Sequence, residues 1–228
     1  MKDALHDDFA FEPVPGLPAL LPEGESIVWQ GAPAPIAFAV EVMRLRFVAV
    51  LIALLVIWRT AAGIHDGIGA GAVAIVAGGT LLGGLIALGL LALSGWLMAR
   101  GTIYTITTQR LVIRHGVAMP MAINIPFAKV AGAAAAPGFD GTSSIALSLL
   151  PKSRSSFIAL WPHVRPFQII RPEPTLRAIA DGARVAGLLT DALSRAAGQP
   201  AAATARPAPT GHREPEAIGI SNAAAGAA

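Results

Sequence analysis

Apolar and polar positions divide this chain into three patterns. From Phe47 to Ala99 two long apolar segments are joined by a short polar turn around Arg59, His65 and Asp66. The second, Ile68–Ala99, runs 32 residues without an ionisable side chain. A helix needs about 20 residues to cross a hydrocarbon core, and only in lipid is there a reason to be apolar all round for that length. The first, Phe47–Trp58, is strictly apolar for 12 residues. It completes a span by drawing on Arg59, which snorkels, and on the mostly apolar Thr60–Ile64. Trp58 and Trp96 stand at segment ends, where amphipathic rings favour the interface. The expectation is a membrane hairpin over residues 36–99, with helices at about 43–62 and 70–99.

Beyond Arg100 the period changes to two. Thr102–Thr108 and Leu111–Arg114 are β-branched and alternating, and Gln109-Arg110 between them predicts a β-hairpin. Further strands are predicted at Met121–Phe127, Lys129–Ala134, Ser144–Leu150, Phe157–Trp161 and Phe167–Ile170, divided by Pro, Gly and Asp clusters. Thr175–Leu193 has helical spacing, with Leu176, Ile179, Ala183, Ala186 and Leu189 on one face. The expected fold is a membrane α-helical hairpin plus a mainly-β domain over 100–195, a small antiparallel barrel or sandwich. That domain would have six or seven antiparallel strands and a closing C-terminal helix.

The ends read differently. Residues 1–35 are Pro-rich, which forbids a long helix, and are expected to be a cytoplasmic segment. Within them Ser26–Gln30 fits an edge strand or a membrane-surface anchor. Ile36–Met43 reads as an amphipathic helix at the interface. The acidic start lacks the pattern of a signal peptide. Residues 196–228 are Ala-, Gly- and Pro-rich without periodicity, the composition of a disordered tail.

Composition sharpens this picture. Hydrophobic residues make up 54% of the chain and charged ones 14%, and Cys is absent, which excludes thiolate metal sites and Cys nucleophiles. Residues 1–46 hold three basic residues against seven acidic ones, and residues 100–228 hold thirteen against six. A basic domain after a membrane helix points to an anionic leaflet before nucleic acid, and no nucleic-acid partner is expected. Arg44 and Arg46 before the hairpin and Arg100, Arg110 and Arg114 after it place both termini in the cytoplasm, making a multi-pass protein of the inner or intracytoplasmic membrane.

Candidate chemistry is sparse. The five histidines are scattered, no phosphate loop or nucleophile motif appears, and Asp140–Ser144 fits a turn. Neither an enzyme nor a cofactor is expected. The best candidate surface is Trp161, His163 and Arg165, stiffened by two prolines, with Arg171 and Arg177 facing lipid headgroups or an acidic partner. Core packing is the favoured reading for Trp161 itself. Gly67/Gly71 and Gly79/Gly83 have the spacing of close helix contacts, for a partner helix or a homodimer; chance in a Gly-rich segment explains them equally well.

The string YTITTQRLVIRHG at Tyr104–Gly116 resembles a bacterial pleckstrin-homology-like domain. The stretch LPEGESIVWQG at Leu21–Gly31 looks like the lead-in of such proteins. AINIPFAKV at Ala122–Val130, LWPHVRPF at Leu160–Phe167 and RPEPTLRAI at Arg171–Ile179 resemble the PuhB family of photosynthetic complex assembly proteins, over roughly residues 15–195. That resemblance implies a membrane-embedded, chaperone-like factor of purple phototrophic bacteria, whose partners are the bilayer and the reaction-centre and core light-harvesting subunits. The alternative is a general membrane-anchored binding module for lipid or envelope proteins.

Overall fold

The computed structural model describes residues 14–117, 120–151, 156–165, 168 and 170–198. The tail predicted from Ala196 lies outside them beyond Gly198, as do the first 13 residues of the N-terminal segment.

Five residues, Ile27–Gly31, form strand β1, which pairs antiparallel with β2 (Ile103–Thr107) on the far side of the hairpin. The edge-strand reading of Ser26–Gln30 holds, with a correction: the β domain begins before the membrane segments, not at residue 100. The hairpin is an insertion between the first two strands of one sheet. Strands β3 (Arg110–His115) and β4 (Met121–Pro126) complete that sheet in the order β1-β2-β3-β4. A second antiparallel sheet consists of β5 (Val130–Pro137), β6 (Ser143–Leu149) and β7 (Thr175–Ile179).

The alternation read from the sequence faces the two sheets inward. Tyr104, Ile106, Leu111, Ile113 and Ile125 from the first sheet meet Ile145, Leu147, Leu176 and Ile179 from the second. Helix α5 (Gly182–Ala196) closes this core with Val185, Leu189 and Ala192. The helix expected from Thr175 therefore starts seven residues late: Leu176 and Ile179 lie in β7, and Ala183 is exposed. The i, i+3 spacing of Leu176 and Ile179 suits a helix, but pairing with β6 buries this segment on both faces and overrides it. Ala178 takes a left-handed φ of 52° where β7 shifts register, and its carbonyl accepts the Ala34 N–H at 2.8 Å.

Two helices carry the apolar segments, α2 (Leu45–His65) and α3 (Ala70–Arg100), both long and apolar enough to cross a membrane. Leu54, Ile57, Trp58, Ile75, Leu82 and Leu90 along them are more than half exposed. So much apolar surface is stable only against lipid or a partner. Asp66 and Gly67 end α2, with Gly67 at φ 69° in the left-handed C-terminal position that glycine favours. At the helical rise α3 is roughly 47 Å long, more than the about 30 Å of a hydrocarbon core, and its last turns lead directly into β2.

Those last turns are sheathed by α1 (Pro35–Val42), which starts with Pro at its first position, where no N–H is needed. Ile36–Met43 is therefore not a helix lying free at the interface. Phe38 is fully buried, Ala37 and Ala39 nearly so, and Gly95 of α3 meets Ala39 so closely that a Cβ would lie 2.8 Å from the Ala39 Cα. Arg44, at φ 53°, breaks the helical path between α1 and α2.

Two further strand predictions fail. Phe157–Leu160 is a single helical turn, α4, and Trp161 donates its N–H back to the Phe157 carbonyl at 2.9 Å. The proline that follows supplies no N–H for a ladder. Phe167 and Ile169 lie outside the described residues, and Gln168 and Ile170 stand in no strand.

Candidate functional site

The predicted cluster around Trp161 splits when folded. The Trp161–Pro162 peptide is cis, and Trp161 is 46% exposed, contrary to the expected core packing. Its neighbour His163 is wholly buried. The imidazole sits where α1, α3 and both sheets converge, with the Phe38 ring at 5.5 Å, Tyr104 edge-on at 5.4 Å and His115 at 5.1 Å. Nδ1 lies 2.9 Å from Tyr104 Oη and Nε2 3.3 Å from Thr102 Oγ1. Thr102 in turn donates to the Met98 carbonyl at 2.8 Å, in the last turn of α3. Burial, with the neighbouring His115 and Arg177, holds the His163 pKa well below the usual histidine value. Burial also lowers that of His115, whose Nε2–H donates to the Ala159 carbonyl at 3.1 Å. Burial raises the Tyr104 hydroxyl above its ordinary range. His163 is thus a neutral structural hub, not an exposed contact.

Arg165 and Arg177 do not stand on an open basic face, since Arg177 is buried. They line a cavity of about 450 Å³ between the base of the hairpin and the outer face of the second sheet. Its floor is unusual for a sheet: Ala134, Ala136, Ser144 and Ala146 pair across β5 and β6, so only small side chains stand in front of the strands. Thr175 and Arg177 extend the floor on β7. Val40, Glu41, Arg44 and Arg46 form the opposite wall, with Phe139 at the edge. Four guanidinium groups therefore face a space holding one lining carboxylate. Glu41 is engaged already, accepting the Phe139 N–H at 2.6 Å and the Ser144 hydroxyl at 3.2 Å. Arg46 stands 4.4 Å over the Phe139 ring, and Arg165 pairs with Glu173 at 3.0 Å. Arg177 is only 8% exposed and gives one N–H to the Val164 carbonyl at 2.7 Å. Its Nε is buried without a hydrogen-bond partner. Burial lowers the Arg177 pKa, with Glu41 and Arg44 acting on it in opposite directions.

The other predicted residues are dispersed. Arg171 is exposed and stands apart from the cavity lining. Gly67 is the helix stop already described, and a Cβ on Gly71, Gly79 or Gly83 would meet nothing within 4 Å. Packing within the hairpin uses Gly63, against Ile68 and Val73, and Gly84, against Ile52. The Gly-x-x-x-Gly spacing therefore marks no contact inside this chain. Sequence reasoning took Arg44 and Arg46 only as topology markers and passed over Glu41; the alternating alanines of VAGAAAAP were the available signal for a recess.

A buried ion pair ties down the N-terminal lead-in. The Glu25 carboxylate receives Arg110 Nε at 2.7 Å and Nη2 at 2.5 Å, and the Thr107 hydroxyl at 2.6 Å. Hydrogen bonding from Arg110 holds the Glu25 pKa below its usual value, and Glu25 raises that of Arg110. The short turn between β2 and β3 thus spends its arginine internally. Among the described residues no group of three or more His, Asp or Glu stands together as a metal site.

Two antiparallel sheets closed by a C-terminal helix, with a helical hairpin inserted between the first two strands, make a pleckstrin-homology-like β domain on a helical hairpin. Residues 32–140 match the family described as Bacterial PH domain. Over 194 residues, 85% of this chain and 91% of the relative, the chain is 36% identical to the uncharacterized 23.7 kDa protein in the puhA 5' region of Rhodobacter capsulatus. The chain belongs to the same family as that Rhodobacter capsulatus protein. No solved structure matches it significantly.

Proposed function

We propose that this chain is a non-enzymatic, integral membrane assembly factor for the photosynthetic reaction centre and core light-harvesting complex. The hairpin crosses the cytoplasmic membrane twice, both termini and the β domain lie on the cytoplasmic side, and the partners are nascent pigment–protein subunits. Three things support this reading: the PuhB-like strings, the puhA 5' region in the relative's name, and the architecture. The observation that carries it is the insertion of the hairpin between β1 and β2, braced by α1 and by Thr102 and His163. An anchor joined through one flexible linker would let the domain sample many orientations. An anchor built into a sheet presents membrane and cytoplasmic surfaces in fixed relation, which suits holding one subunit while another docks.

Affinity purification of the tagged full chain from membranes harvested while photosynthetic complexes are being induced tests the partner assignment. Reaction-centre or core-antenna subunits should co-purify above the level seen with an unrelated two-helix membrane protein. Recovery equal to that control contradicts the assignment.

A further inference from the structure

We propose that the cavity between the hairpin base and the outer face of the second sheet binds the phosphate headgroup of an anionic phospholipid from the cytoplasmic leaflet. The inference rests on the hairpin crossing the membrane and goes beyond the assembly role. Arg44 and Arg46 immediately precede Phe47, the first residue of the uninterrupted apolar run. At the helical rise they sit within roughly 5 Å of the hydrocarbon edge, at headgroup depth. Arg165 and Arg177 approach the same space from the β domain, so cations converge from two separate parts of the fold. Guanidinium groups present planar forks that match phosphate oxygens.

Two features favour an anionic ligand there over a merely solvated basic face. Arg177 lines the cavity while only 8% exposed, so its guanidinium charge is poorly solvated there and gains from an anion in that space. The alanine floor leaves about 450 Å³ in front of the sheet, enough for a phosphate and its glycerol. Carboxylates close to the site leave it net positive: Glu41 and Glu173 stand against Arg44, Arg46, Arg165 and Arg177. Val40 and Phe139 supply apolar wall that a lipid backbone uses and a free phosphate does not.

The test uses the full chain in a neutral detergent, with native mass spectrometry and thermal midpoints read against phosphatidylglycerol, phosphatidylcholine and inorganic phosphate. Phosphatidylglycerol should be retained in preference to phosphatidylcholine and raise the midpoint. The double variant Arg46→Gln/Arg165→Gln should weaken that retention roughly tenfold or more. Ala134→Leu, which keeps every charge but fills the floor, should weaken it too. Equal retention of both lipids overturns the proposal, as does unchanged retention in variants that still fold. Equal stabilisation by inorganic phosphate assigns the site to a soluble anion and overturns the lipid. Carbonate extraction of the source membranes reads the crossing separately. A chain released by carbonate refutes the hairpin's insertion, whereas a retained chain without lipid selectivity refutes only the cavity assignment.

Discussion

Tyr104 and His163 fix each other's protons. The Arg177 backbone N–H donates to Tyr104 Oη at 3.1 Å, which leaves the hydroxyl proton for His163 Nδ1 at 2.9 Å. The neutral imidazole then carries its hydrogen on Nε2, toward Thr102 Oγ1, and the Thr102 proton goes on to the Met98 carbonyl. A directed chain of hydrogen bonds therefore runs from β7 through the core to the end of a membrane-length helix. Every member is a donor on one side and an acceptor on the other, so each group lost strands its neighbours.

Tyr104→Phe should lower stability by about 1–3 kcal/mol, since the ring volume stays while the Arg177 N–H and His163 Nδ1 lose their partner. Denaturant unfolding of the full chain in detergent measures it. A loss within error of zero would mean that water replaces the hydroxyl.

The histidines set a pH dependence. The folded pKa values of His163 and His115 are depressed, so the unfolded chain binds more protons below the ordinary histidine value of 6.5. Their contribution is fully present above that pH and falls as pH drops toward the folded values, by up to about 1.4 kcal/mol per pH unit for each histidine. Thermal midpoints should decline from pH 7 to pH 5, and His163→Gln should flatten the slope. A profile that is flat in wild type over this range contradicts the buried neutral state.

Glu25 acts in a lower window. Its folded pKa is depressed below the ordinary glutamate value of about 4.5, so its stabilisation is present above that value and lost as pH falls through the folded one. Glu25→Gln should cost about 2 kcal/mol at pH 7, because Arg110 loses its buried carboxylate. The variant should also lose part of the acid sensitivity below about pH 4.5. Far-UV circular dichroism during acid titration checks both points.

The glycines separate by contact. Gly95→Ala puts a methyl into the Ala39 backbone and should cost about 1–3 kcal/mol by forcing α1 off α3. Gly83→Ala faces open space and should be neutral to folding or slightly helix-stabilising. If Gly83→Ala leaves folding intact but lowers complex assembly in cells, that face meets another chain.

The helical hairpin was legible because its pattern is local: Ile68–Ala99 has no ionisable residue, and the hydroxyls of Thr80 and Ser94 bond back into their own helix. The β2–β3 turn was legible because its pairing is local. What escaped were contacts between distant residues. Ile27–Gly31 is too short to declare its sheet, and its partner β2 follows three helices later. Leu176 and Ile179 satisfy a helical spacing and a strand in a bulged register equally well, and only pairing with β6 decides between them. Trp161 and His163 are two residues apart, yet one is exposed and the other buried, because Tyr104 and Thr102 arrive from some sixty residues away. The cavity was hidden for a related reason: its cations come from segments that meet only after folding.

An in-frame deletion in the source organism, followed by absorption spectra of membranes under phototrophic conditions, tests the assembly role most directly. The account predicts loss of the reaction-centre and core-antenna bands, with peripheral antenna and pigment synthesis intact, and recovery on restoring the full chain. Unchanged spectra in the deletion strain would contradict it and leave a general membrane-anchored binding module as the better description.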